Sequence, residues 1–171
     1  AQISSASLSS GNGGPLTIEA TNRVEVIGRS SLTGLPSAIV SSSGRADVTN
    51  LSGMGDGGNL TIQTRSLIVR DGAAVSTSST GSGRAGNLTV RAADVDVVDG
   101  PNATASSTVA ATSRGVGDSG DILIQSDRVR VGGGADISAT AFAQGRSGNL
   151  TVRASESIEL FGARINPNNP R

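Results

Sequence analysis

The chain has no cysteine, histidine, tryptophan, tyrosine or lysine, and only two phenylalanines and one methionine among 171 residues. Each absence removes a class of explanation. Without cysteine there is no disulfide scaffold, although the compartment stays open. Without aromatic rings, which normally bury large areas per residue, the interior must be filled by Val, Ile, Leu and Ala. That suits a narrow interior of stacked aliphatic layers better than a wide globule. Without His, Lys, Cys or Tyr, the candidate general bases shrink to Asp and Glu. No apolar run reaches the length of a membrane-crossing helix, and no signal peptide is visible. Fourteen basic and fourteen acidic residues cancel, so charge gives no reason to expect nucleic acid or an anionic membrane as partner, and with no apolar run long enough no membrane insertion is expected.

What the chain does have is 24 glycines and a recurring phrase. Gly58-Asn59-Leu60-Thr61-Ile62 returns as Gly86-Asn87-Leu88-Thr89-Val90, Gly120-Asp121-Ile122-Leu123-Ile124 and Gly148-Asn149-Leu150-Thr151-Val152, after a divergent copy, Gly14-Pro15-Leu16-Thr17-Ile18. The lead glycines stand 44, 28, 34 and 28 residues apart, a 28-residue unit with two insertions. Abundant Gly, Ser and Asn would suit disorder, but a disordered linker lacks such aliphatic periodicity.

A second apolar pair follows each phrase: Val24/Val26, Leu67/Val69, Val95/Val97, Val129/Val131 and Ile158/Leu160. A third anchor is expected six residues later, at Leu32, Val75, Ala103 and Ile137, with Ile165 one residue short in the last copy. Apolar residues at i and i+2 predict short strands with one buried face, and no helical pattern competes. Such short strands pair best with their own copies, like on like. The expected fold is therefore all-β, a right-handed parallel β-helix with three short strands, and so three sheets, per rung and about five rungs. It forms a single domain over 1–165, with rungs opening near 14, 58, 86, 120 and 148 and a tail at 166–171. An orphan third strand at 1–6 makes the chain look like a slice of something longer. The expected core is Leu16, Ile18, Leu60, Ile62, Leu67, Val69, Val75, Leu88, Val90, Val95, Val97, Ile122, Ile124, Val129, Val131, Ile137, Leu150, Val152, Ile158, Leu160 and Ile165. One rung cannot be stable alone: a handful of buried aliphatics at ~1.5–3 kcal/mol each does not offset the ordering entropy of the whole unit.

The conspicuous polar positions read first as structure. Asn59, Asn87, Asp121 and Asn149 recur at one corner, where stacked side chains can form a hydrogen-bonded ladder. The same Asn-Leu-Thr phrases fit the N-glycosylation pattern, which such a ladder generates by accident. Gly72, Gly86, Gly120 and Gly148 mark corners that need positive φ or close backbone approach. The glycine runs lack the strand-to-helix context of phosphate-binding loops, and Gly55-Asp56 and Gly117-Asp118 lack the nine-residue period of calcium-binding repeats. The outward column Thr17, Thr61, Thr89 and Thr151 is broken by Leu123 and flanked by apolar residues, which disfavours an ice-binding array. Along the second strand the exposed column Glu25, Ile68, Asp96, Arg130 and Glu159 alternates in type, as a solvated surface does, and no paired carboxylates stand out for catalysis. No catalytic residue, cofactor or metal is expected. The two insertions are expected after the third strand, near 35–57 and 104–118, on what is often the binding face of a solenoid.

The unit that runs from Gly86-Asn87-Leu88-Thr89-Val90 through Val95 and Val97 resembles the repeats of filamentous haemagglutinin-like exoproteins. The phrase Leu67-Ile68-Val69-Arg70-Asp71-Gly72-Ala73-Ala74-Val75-Ser76 is especially similar, and the resemblance covers nearly all of 1–165. It implies a bacterial protein of two-partner secretion, a right-handed β-helix outside the cell or on its surface, and an adhesive role. Asn166-Pro167-Asn168 echoes the secretion-domain motif of that family but lies after the repeats, so no secretion role is carried onto it. The expected partners are a glycan or protein surface of a host or the environment, and other copies through end-to-end association.

Overall fold

In every copy the recurring phrase opens a strand two residues after its lead glycine. The computed structural model describes residues 1–44 and 54–162, in which the chain forms eleven strands and no helix. The phrases lie in β2 (Leu16–Ile27), β4 (Leu60–Arg70), β6 (Leu88–Arg91), β9 (Ile122–Gly132) and β11 (Leu150–Phe161). The second apolar pair of the third copy forms its own strand, β7 (Asp94–Val98). The remaining strands are β1 (Gln2–Ser7), β3 (Ala38–Ser43), β5 (Ala74–Ser79), β8 (Thr108–Ser113) and β10 (Asp136–Ala141).

These strands build two sheets in which every pairing is parallel. One has the order β1-β3-β5-β8-β10, and the other runs β2-β4-β6-β9-β11, with β7 between β4 and β9. The chain crosses from one sheet to the other and back in each repeat, and each strand pairs with its counterparts in adjacent repeats. Register is like on like: Leu60 faces Leu88, Thr61 faces Thr89 and Ile62 faces Val90.

Two sheets replace the three that separated segments would give. The residues between the first and second apolar pairs stay extended, so four of the five copies run through both pairs as one strand. Register shifts between Ala20 and Arg23, and between Ala154 and Ser157, absorb the extra residue there. Only the third copy breaks, at Ala92 and Ala93, where alanine is a poor strand former.

Two expected anchors were misplaced. Leu32 is 95% exposed in a turn, and Ile39 takes the buried position in its repeat. Ala103 lies in a loop, and Val109 fills the interior instead. The reason is where the insertions fall. Inserted residues lie before the third strand in both copies, at 28–37 and 99–107, so a six-residue count lands inside inserted loop. The first copy carries a further eight after its third strand, where insertion was expected, with 12 residues from Ser43 to Gly55 against four from Ser79 to Gly83. Part of the first expected insertion, 45–53, lies outside the described residues, as do Ile165 and the tail at 166–171.

The interior is a stack of aliphatic layers. Leu60, Ile62, Leu67, Val69, Val75, Leu88, Val90, Val95, Val97, Ile122, Ile124 and Val129 are buried, and Leu16, Ile18, Val131, Ile137 and Val152 pack against them part-buried. Leu150, Ile158 and Leu160 depart from expectation, with exposures of 45%, 53% and 77%. They sit on β11, the last strand of its sheet among the described residues, and within those residues have a neighbouring layer on one side only.

Hydroxyls share the rest of the interior with small alanines such as Ala73 and Ala111. Ser41, Thr77, Ser79 and Ser113 point inward and donate to the carbonyls of Gly14, Gly86, Gly83 and Gly117 respectively. The accepting glycines form two columns, Gly14/58/86/120/148 and Gly11/55/83/117/145. A β-carbon on Gly58, Gly86, Gly120 or Gly148 would overlap the carbonyl of the glycine one repeat before it, and the second column behaves alike. Close approach, not positive φ, therefore dictates glycine at these corners, whereas Gly72 has φ +81°. Gly86→Ala should cost about 3 kcal/mol or more, because the backbone it strikes cannot yield. Gly28→Ala, at a φ of +76° with nothing nearby, should cost only about 1 kcal/mol. Chemical denaturation of both variants measures the difference.

Candidate functional site

Structure places the corner residues in a continuous ladder. The side-chain oxygen of Asn59 accepts the backbone N–H of Asn87 at 2.9 Å, Asn87 accepts that of Asp121 at 2.9 Å, and Asp121 accepts that of Asn149 at 2.7 Å. The four side chains are exposed at the corner, so the ladder satisfies backbone at the surface. A second ladder, which sequence reasoning missed, runs three residues earlier: Asn12 accepts from Asp56, Asp56 from Arg84 and Asp118 from Arg146, at 2.7–2.9 Å. Its signal was the Gly-Asp pairs weighed only for calcium. Their carboxylates bond to backbone of the next repeat.

The exposed column Glu25, Ile68, Asp96, Arg130 and Glu159 is in register along the long sheet. Arg130 lies 3.4 Å from both Asp96 and Glu159, and Arg128 bridges Asp94 at 2.6 Å and Glu156 at 2.7 Å. Asp94 first, then Glu156, raises the Arg128 pKa above its ordinary value. Each guanidinium separates two carboxylates, so no bare acidic pair faces a common substrate position here. Such exposed pairs add little stability individually. Arg114 and Arg130 also lie over the rings of Phe142 and Phe161, at 5.3 and 5.1 Å.

The two insertions frame a concavity. Both fall at the corner between the long sheet and the sheet of short strands, in the first and third copies. The second copy turns there tightly through Asp71 and Gly72, so the loops stand as walls over a low floor. Between them lies a cleft of about 740 Å³, bounded by Arg29, Ser30 and Ser31 on one side, Asp71 below and Asn102 and Thr104 opposite.

Both walls are held from within. The first loop is a small hairpin closed by the Arg29–Pro36 bridge, by Ser30 N–H to the Leu35 carbonyl at 2.8 Å and by Gly34 N–H to the Ser30 carbonyl at 2.8 Å. The stem of Arg29 lies on Gly72, and its guanidinium donates to the Gly72 carbonyl at 3.4 Å. The second loop is anchored by Asp99, which is buried. Its carboxylate accepts the Ser107 N–H at 2.8 Å, the Ser107 hydroxyl at 2.5 Å and the Gly72 N–H at 3.3 Å. Asp71, the one non-glycine residue with positive φ among those described, accepts the Gly100 N–H at 3.3 Å. Asp and Asn tolerate that conformation better than other side chains. The tight turn of the fourth copy uses Gly133 and Gly134 there, at φ +66° and +90°.

Among the described residues no group of three or more His, Cys, Asp or Glu side chains is arranged to hold a metal ion. No helix in the described residues is long and apolar enough to cross a membrane. No family model matches the chain, and neither the curated proteins nor the solved structures give a match.

Removing the Asp99 carboxylate leaves the buried Ser107 N–H and hydroxyl without their acceptor, and leaves the Gly72 N–H with the Ser107 hydroxyl, at 3.0 Å, as its remaining acceptor. Asp99→Ala should cost roughly 3 kcal/mol, and Asp99→Asn, which keeps an acceptor oxygen, distinctly less. Denaturation curves, with hydrogen exchange at the amides of Gly72 and Ser107, test the assignment.

Proposed function

We propose that the chain is a right-handed parallel β-helix from a secreted bacterial surface protein of the filamentous haemagglutinin-like kind, acting as a non-enzymatic rigid stalk or filament that displays one corner. The observation that carries this reading is the order of pairing. Both sheets follow the order of the repeats, and every strand pairs in parallel with its own counterpart. Backbone hydrogen bonds of both sheets therefore run along one axis, the arrangement that makes a stiff, extendable rod. Loops can then vary at one corner without disturbing the stack, as 28–37 and 99–107 do.

The partners of such a module are a glycan or protein surface of a host or the environment. Self-association is the other route to a longer rod. Among the described residues β1, β2, β10 and β11 each pair on one side only, and Leu150, Ile158 and Leu160 are exposed beside the last edge. A second reading, a polysaccharide-binding or polysaccharide-degrading β-helix, is favoured by the cleft between the insertions, which carries hydroxyls, an amide, a guanidinium and a carboxylate.

One experiment separates these readings. The protein is applied to immobilised polysaccharides and matrix proteins, incubated with the same polysaccharides in solution, and sized by light scattering as concentration rises. The display reading expects retention on a surface with no new reducing ends or unsaturated products. Release of products would establish the degrading alternative, and retention on none of the surfaces would remove the adhesive role. Mass that grows with concentration supports the filament, and a monomer at every concentration rejects it.

A further inference from the structure

The cleft between the two insertions has a composition that narrows what could occupy it. Among the described residues its only charged side chains are one guanidinium, Arg29, and one carboxylate, Asp71. Around them stand hydroxyls and an amide, from Ser30, Ser31, Thr104 and Asn102, together with loop backbone and the small apolar side chains of Pro101 and Ala103. No aromatic or large aliphatic side chain lines it. Protein partners are usually held by buried aromatic or Arg anchors in apolar pockets, and nothing here offers such a pocket. A strongly anionic ligand meets Asp71, and a cationic one meets Arg29. The remaining chemistry is a neutral ligand whose groups both donate and accept hydrogen bonds, which describes the vicinal hydroxyls of a sugar.

We propose that this cleft binds a neutral saccharide unit, with Asp71 accepting from sugar hydroxyls and Arg29, Asn102 and Thr104 completing the hydrogen bonding. The inference rests on the reading that this corner is displayed to a surface. Three features support it. The volume of about 740 Å³ is that of an ordinary ligand pocket. Both walls are braced by internal hydrogen bonds, so the loop backbone is in place before a ligand arrives and its ordering entropy is not lost on binding. And the floor carries a carboxylate at a left-handed position where the equivalent turn of the fourth copy has glycine. Glycine would make that turn without strain, so the turn itself does not call for a carboxylate, which also lies 4.0 Å from the Arg70 guanidinium. It accepts the Gly100 N–H, which fixes the second wall. Without aromatic stacking each site binds weakly, and useful adhesion comes from many sites in an array.

The test uses the full chain and a panel of neutral oligosaccharides built from glucose, galactose, mannose or N-acetylglucosamine, with uronic-acid oligosaccharides as a second arm. Binding is followed by amide chemical shifts. The expected result is that at least one neutral oligosaccharide shifts the amides of 28–31 and 100–104. Asp71→Asn removes the charge yet keeps an acceptor for Gly100 N–H and suits the same φ. It should weaken that binding about tenfold or more, the scale of a lost charged hydrogen bond. Asn102→Ala and Thr104→Ala, on exposed loop, should each weaken it severalfold and serve if the Asp71 variant does not fold. The proposal is overturned if no neutral oligosaccharide binds, if uronic-acid oligosaccharides bind more tightly, or if the variants bind as well as the parent. Retention of both parent and Asp71→Asn on a polysaccharide surface would overturn the cleft while leaving the display reading intact. A parent retained on no surface at all would remove the display reading itself.

Discussion

Everything in this structure depends on how closely one repeat lies on the next at a single corner. There the backbone of each copy touches the backbone of its neighbour, with no room for a β-carbon between them. That contact fixes the separation of repeats at the spacing of paired strands, ~4.8 Å, and makes every other column possible. Inward hydroxyls reach glycine carbonyls, and outward Asn and Asp side chains reach the amides of the next copy, because the corner holds them at one fixed distance. The corner is polar inside and out, and glycine is what lets it close.

With the spacing fixed, the aliphatic layers follow. Each copy contributes the same few Leu, Ile and Val side chains, and like stacks on like through both sheets. Burial is complete in the middle of the stack and falls away at β11, although its residues are as apolar as their counterparts. Position in the stack, and not residue type, sets burial. The stability of any copy therefore comes largely from its neighbours, and the stack gains with every added layer.

Much of this was legible in the sequence, because a parallel stack writes its columns as a fixed spacing. The phrases headed by Gly58, Gly86, Gly120 and Gly148 show which residues pair, and the alternation Leu60-x-Ile62 shows which face is inside. The connection between apolar pairs was not legible: Gln63 to Ser66 contains no Gly, Pro, Asn or Asp, yet nothing in it reveals that the strand continues around the bend. The true anchors Ile39 and Val109 were hidden by insertions that displace a fixed count, although Ala38-Ile39-Val40-Ser41 and Thr108-Val109-Ala110-Ala111 resemble Ala74-Val75-Ser76-Thr77 when aligned by type. Buried Ser41, Thr77, Ser79 and Ser113 were missed because a hydroxyl reads as surface unless the carbonyl it bonds is known. The cleft could not be read at all. Its walls are separated by about seventy residues of chain and meet only because two repeats lie one copy apart on either side of Asp71.

The absence of cysteine makes the central claim directly measurable. Thr17, Thr61, Thr89 and Thr151 lie in one outward column, in register across the long sheet. Replaced by cysteine in pairs and spin-labelled, they should report a separation that grows by ~4.8 Å per repeat. Thr61 and Thr89 should be in the range of strong dipolar broadening, and Thr17 and Thr151, four repeats apart, near ~19 Å. Separations that do not rise with repeat order, or a Thr61–Thr89 pair farther apart than Thr17–Thr151, would contradict in-register stacking.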